Sequence, residues 1–262
     1  MTRLGLPAAC SLLVVALLSS AGAHAEGFYL RLGAGMEQSS SSRFIDRSCN
    51  SVVPPALFGC EPGNDGRTIG ARGDFGSMVG LEVGVGYHVL PALRIEANLQ
   101  HRPRFSFSGN ANFLGVPGAQ PVSARLSASS ANLAAYVDLA ALGVPSIGPF
   151  RPFVGGGIGA SRIEIGSATF GFPGIGPDAA TIIGGGVATN LSWMLTAGVE
   201  AAVTERVTLD IAYRYTDLGT VKTRDAPATI MRPSRTSTLT IAGTKAHLAT
   251  HGIWLSLRFP LQ

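Results

Sequence analysis

Charge is scarce in this chain. Only 14% of its 262 residues are Asp, Glu, Lys or Arg, whereas 46% are hydrophobic, which excludes a disordered chain and an ordinary charged-surface globular domain. Lysine is nearly missing, with only Lys222 and Lys245, and no basic run exists. The formal net charge of +4 therefore leaves no footprint for nucleic acid, which is not expected as a partner. Long apolar runs are missing too. A transmembrane helix needs about 20 apolar residues, and the first candidate, Leu12 to Leu18, is far shorter. With Arg3 before it and Ala23-His24-Ala25 after it, this run reads as a secretory signal over residues 1–25, cleaved between Ala25 and Glu26. Residues 26–262 then form a single domain.

Cysteine is sparse. Cys10 belongs to the signal segment, which leaves Cys49 and Cys60 around a loop-like stretch. An even pair in an exported chain points to a disulfide rather than a metal site, which would need further ligands nearby. Such a small ring contributes about 2 to 3 kcal/mol, enough to stiffen a loop but not to hold up a fold.

Recognisable catalytic motifs are also missing. Gly155 to Ser161 is glycine-rich but has neither the Walker lysine nor the G-x-G-x-x-G register. His247 and His251 would lie about 13 Å apart along a strand, too far for one metal ion. Lipid A deacylases pair a histidine with a following serine, but here Gly252 and Ile253 follow His251. No catalytic residue, metal or cofactor is expected.

What the sequence does have is one unit repeated: about ten residues of alternating apolar and polar character, bounded by turn residues, as in transmembrane strands. In Arg206 to Asp217, Val207, Leu209, Ile211, Tyr213 and Tyr215 fall on one face, and Thr208, Asp210, Ala212, Arg214 and Thr216 on the other. That strict period of two excludes a helix. Leu93, Ile95, Ala97 and Leu99 alternate in the same way with Arg94, Glu96, Asn98 and Gln100, as do Val79 to Tyr87 with Gly80 to His88. Phe28 to Met36, Ala131 to Leu139, Phe150 to Arg162, Trp193 to Val203 and Ile253 to Phe259 complete a set of eight.

The links between these segments alternate. Those at Leu90 to Ala92, Gly143 to Pro149 and Thr204 to Glu205 are short; those over 38–76, 103–127, 163–191 and 219–247 are long. In an antiparallel meander all the short turns then share one rim and the long loops the other. The expected fold is all-β: a transmembrane antiparallel up-and-down β-barrel of about eight strands in a bacterial outer membrane. Ala179 to Ala188 is apolar enough to extend a strand or to add a pair, making ten.

Strands cross hydrocarbon only when closure leaves no edge unpaired, so the apolar face must be the outer one. Tyr87, Tyr213, Tyr215, Trp193, Trp254 and Phe259 lie near segment ends and are expected at the membrane interfaces. The inward face holds Arg31, Glu82, Arg94, Glu96, Asp138, Arg151, Glu200, Asp210, Arg214 and Arg258. An eight-stranded interior is about wide enough for side chains to fill, so these charges are expected to form an internal network. If inward Gly84, Gly86, Gly155, Gly157 and Gly159 leave gaps, a narrow water or ion path is the alternative.

The run Tyr213-Arg214-Tyr215-Thr216-Asp217-Leu218-Gly219 resembles the small opacity-type and OmpA-like β-barrel surface proteins. More loosely, Phe28 to Gly35 looks like their first strand, Pro152 to Gly159 like their fifth, and Trp254 to Phe259 like their last. That resemblance implies an integral outer-membrane protein with a structural or surface-recognition role and extracellular loops. It also implies contact with outer-membrane lipid and lipopolysaccharide, and with the assembly machinery, which reads a terminal aromatic. Here Phe259 stands in for that aromatic, because Pro260, Leu261 and Gln262 follow it. No peptidoglycan-binding domain is expected after it. A small porin is the alternative function, and a barrel enzyme acting on lipid is a third. Arg43, Arg47, Arg67, Arg72, Arg232 and Arg235 sit in the long links, where a surface or host ligand would bind.

Overall fold

The computed structural model describes residues 27–49 and 59–261. The signal segment, with Ala25 and Glu26 at its cleavage point, lies outside the described residues. Thirteen strands follow in chain order: β1 (Phe28–Ser39), β2 (Ser42–Asp46), β3 (Gly70–Asp74), β4 (Ser77–Leu90), β5 (Leu93–Ala111), β6 (Pro121–Asp138), β7 (Arg151–Gly171), β8 (Ala180–Ile183), β9 (Gly186–Thr204), β10 (Val207–Lys222), β11 (Ala226–Arg232), β12 (Arg235–Ile241) and β13 (Thr244–Pro260). Each of the eight expected segments falls on a strand, with only Leu139, Phe150 and Arg206 one residue beyond its ends.

Eight of these strands make the ring. β1, β4, β5, β6, β7, β9, β10 and β13 pair antiparallel in that order. β1 then pairs with β13 from Tyr29↔Pro260 to Ser39↔Thr250, which closes the circle. Alternation dictates what each face carries. Met36, Leu81, Leu133, Ile158, Leu191, Leu195 and Leu255 lie exposed on the outer wall, an apolar belt that only hydrocarbon can cover without penalty. β8 pairs with β7 and β11 outside the ring, so the apolar stretch near residue 180 does not enlarge the barrel to ten.

Among the described residues, much of each long link is strand. β5 runs on to Ala111, β6 starts at Pro121, β7 ends at Gly171, β9 starts at Gly186, and β10 and β13 reach Lys222 and Thr244. The alternation continues, but its parity changes at bulges. Arg102 pairs with Ala128 and Phe105 with Leu126, so Pro103 and Arg104 together oppose Ser127, and a second shift lies between Asp217 and Gly219. A bulge turns the following side chains to the other face.

Above the bulges the inward residues become mainly apolar. Phe44, Phe75, Phe105, Phe107, Leu126, Ile163, Ile165, Leu218, Val221 and Leu248 all lie in one buried cluster. The Phe44 and Phe107 rings meet edge to face at 4.8 Å, and the Phe75 and Phe107 rings at 5.2 Å. β2 and β3 carry the wall from β13 to β5 where β1 and β4 have ended, through pairs such as Lys245↔Ile45, Arg43↔Arg72 and Arg72↔Asn110. The half of the barrel that carries the long links is therefore a folded cap with its own core.

Cys49 and Cys60 form the expected disulfide. Asp46, at the end of β2, accepts backbone N–H bonds from Ser48, Cys49 and Gly59 at 2.9, 3.2 and 3.0 Å, anchoring both ends of the ring to the cap. Asn112 ties the next segment down: its Oδ1 accepts from the Gly70 N–H and its Nδ2 donates to Asp65. That bond holds the Asp65 carboxyl below its ordinary range.

Phe107→Ala should remove about 3 to 5 kcal/mol from the cap core. The expected outcome is faster proteolytic cleavage above the bulges while the heat-shifted gel band, the difference in mobility between unboiled and boiled protein, persists, because ion pairs hold the lower storey separately. Loss of that band would mean that cap and barrel are one cooperative unit.

Candidate functional site

The lumen below the bulges is filled by charge. Inward parity on β1, β4, β5, β9, β10 and β13 points Arg31, Glu37, Glu82, Arg94, Glu96, Arg102, Glu200, Asp210, Arg214 and Arg258 into a space where each is at most 7% exposed. Five arginines face five carboxylates, so the lumen carries no net charge. Charges so deeply buried persist only when paired and hydrogen-bonded.

The pairing is a chain running up the barrel. At the short-turn end Glu200 meets Arg94 at 2.6 Å and also pairs with Arg258, which reaches Asp210 at 3.0 Å. Arg31 then bridges Glu96 and Glu82 at 3.3 and 3.1 Å. The Tyr29 and Tyr136 hydroxyls donate to Glu96 at 3.1 and 3.4 Å. Arg214 holds Glu82 at 2.6 Å, with Gln100 donating to the same carboxylate. At the top, Arg102 grips Glu37 with two parallel bonds of 2.6 and 2.9 Å, and Thr250 adds a third.

Eight of the ten charged residues read from the sequence are in this chain. Asp138 and Arg151 are not: they pair with each other at the short-turn rim, where the Arg151 side chain is 50% exposed, and Asp138 also accepts from the Ala140 and Ala141 N–H groups. Glu37 and Arg102 take their places in the lumen. Both continue the inward alternation of Arg31 and of Arg94 to Gln100, one step beyond where those segments were ended at Met36 and Gln100. Extending the period of two would have found them.

Trp254 also corrects the sequence reading. It is not at a membrane interface but fully buried in the lumen, with the Arg214 guanidinium over its ring at 4.4 Å and Arg102 at 6.0 Å. It shares the inward parity of Ser256 and Arg258. Gly35 and Gly80 make room for it: a Cβ on either would lie within 2.6 Å of the indole. Gly86 accommodates Tyr29 and Gly155 accommodates Tyr136 in the same way. Of the five glycines read as leaving gaps, Gly86 and Gly155 are thus seats for large inward rings, whereas Gly84, Gly157 and Gly159 lie against the neighbouring strand. One cavity of about 210 Å³ opens at the short-turn rim, among His88, Arg94, Tyr136, Asp138, Arg151 and Glu200.

The long-link arginines are spread over the cap. Arg43 and Arg72 face each other across β2 and β3, Arg47 pairs with Asp225 at 2.7 Å, Arg232 bonds the Ala180 carbonyl, and Arg67 and Arg235 are exposed. His247 lies 3.2 Å from Asp217, whereas the His251 ring rests against Tyr213. Phe259 faces outward at the end of β13, half-buried.

Residues 8–232 match the family of the outer membrane protein beta-barrel domain. The chain belongs to this outer-membrane β-barrel family. Uncharacterized proteins of Brucella abortus and Brucella melitensis are 31% identical over 145 residues, 51% of this chain and 49% of theirs, so the chain spans about half the length of the curated relatives it matches. Among solved structures, Neisserial surface protein A is 16% identical (TM-score 0.44) and OprG from Pseudomonas aeruginosa 15% identical (TM-score 0.47). Each alignment covers 90% of this chain and 97% of the other. As a member of this family, the protein is an integral barrel of the bacterial outer membrane.

Removing one partner of a buried pair strands the other charge, at about 3 to 5 kcal/mol. Arg102→Met should therefore lower the urea midpoint of the barrel in detergent micelles, and adding Glu37→Leu should recover most of the loss. A double variant no better than the single would mean that Arg102 acts by packing on Trp254 and not by charge.

Proposed function

We propose that this protein is a closed surface barrel, with a structural role in the membrane and a recognition role confined to its external cap. One observation carries the reading. From the Glu200 level to the top of β5 and β7 the interior is filled, first by paired charges and then by phenylalanines and aliphatic side chains. A filled lumen leaves the cap as the surface through which a partner outside the cell could be met, and the cap has a packed core of its own, as a scaffold for recognition should. Deleting residues 44–72 would therefore not test a loop in isolation, since Phe44, Ile69 and Ala71 belong to the cap core.

The small-porin reading draws on the cavity beside Arg94 and Glu200, and on buried Arg94 and Asp210 atoms that lack a hydrogen-bond partner within the protein and so invite water. Conductance separates the two readings. The purified protein in planar bilayers is expected to give no stepwise current. Steps that change in size on Arg94→Ala would overturn the closed-barrel reading in favour of the porin. Activity towards lipid A or peptides by the same preparation would favour an enzyme instead.

A further inference from the structure

The outer wall carries an indentation that neither the barrel nor its cap requires. It spans about 870 Å³ across the wall from β4 through β5, β6 and β7 to β9, where the apolar belt gives way to polar residues. Cross-strand register fixes its rows. The lowest runs Leu99, Ala131, Ala160, Leu191 across β5, β6, β7 and β9; the next runs His101, Ser129, Arg162, Thr189. One row below, Leu133 and Ile158 restore the bulky belt and are 61% and 65% exposed. Ala131 and Ala160 thus leave a notch between Leu99 and Leu191, at the upper edge of the hydrocarbon zone.

The rim above the notch is cationic. Arg162 lies within hydrogen-bond reach of Glu164 through Nε and Nη2, at 3.0 and 2.9 Å, and its Nη1 has no hydrogen bond among the described residues. His101 is held by Ser129 at 2.9 Å. The β5 bulge opposite Ser127 exposes Arg104, and Arg125 is exposed on the same face of β6, opposite Ser106. Neither Arg104 nor Arg125 has an ion-pair partner among the described residues. A bulge that turns an unpaired arginine out beside an apolar notch matches the layout of a lipid with an anionic headgroup.

The geometry points to a binding site for a phosphorylated lipid of the external leaflet. Its acyl chain seats over Ala131 and Ala160 between Leu99 and Leu191, and its phosphate meets Arg104 and Arg162. The site rests on the chain's place in the outer membrane and is independent of whether the lumen conducts.

Native mass spectrometry of the full chain, released from zwitterionic detergent, tests this with diphosphoryl lipid A, monophosphoryl lipid A and phosphatidylcholine as probes. The expected result is one retained diphosphoryl lipid A and weaker retention of the other two. Arg104→Gln should weaken retention roughly tenfold, the size of one charge-assisted hydrogen bond, and Ala131→Phe, which fills the notch, should separately weaken it as well. Lys245→Gln, which removes the same charge from the opposite wall, should leave it unchanged. Equal losses from Arg104→Gln and Lys245→Gln, no effect of Ala131→Phe, or no preference among the three lipids would each overturn the site. Both tested positions are on the outer surface, and the heat-shifted gel band verifies folding; a wild-type protein without that band would instead sink the membrane placement.

Discussion

Closure between β1 and β13 is the constraint on which the rest depends. In hydrocarbon an unpaired backbone N–H or C=O has no water to turn to, so the eleven-residue register between these strands must form before any other feature is tolerable. Closure at eight strands then sets the diameter, and the diameter leaves an interior that side chains must fill. The lumen inherits a packing problem, and its charges inherit a pairing problem.

Both problems are solved by size sorting across the lumen. Glycines stand where large rings lean in: Gly35 and Gly80 against Trp254, Gly86 against Tyr29, and Gly155 against Tyr136. Arginines stack on those rings while reaching carboxylates on other strands, as Arg94 does over Tyr136 and Phe153 on its way to Glu200. The chain of pairs therefore staples β5 to β9, β10 to β4 and β1 to β5 across the barrel, adding side-chain links to those of the backbone. Above the bulges an aromatic core replaces the charges, and the wall is completed by β2, β3 and β8.

The ring was legible because membrane strands follow a rule that single residues reveal. Val207 to Thr216 sorts every residue by face, and no helix does that. The strand ends were not legible, for a physical reason. At Pro103-Arg104 the parity shifts by one, and beyond it the inward residues become Phe105 and Phe107, so the pattern that identified β5 inverts and reads as a loop. Trp254 was misplaced because aromatics near segment ends usually belong to the interface; only its parity with Arg258 shows otherwise. Glu37 and Arg102 were missed because their segments were ended one step early. The pairing of particular charges could not be read at all, since it joins residues such as Arg214 and Glu82, on strands that meet only across the lumen.

Hydrogen–deuterium exchange by mass spectrometry, on the protein in lipid nanodiscs, tests the central claim that the long links are a folded cap over a filled barrel. Amides of 105–111, 121–128, 163–171 and 244–249 should exchange as slowly as those of the membrane-spanning strands. Exchange there at the rate of open loops, with protection stopping at the bulges, would contradict the account.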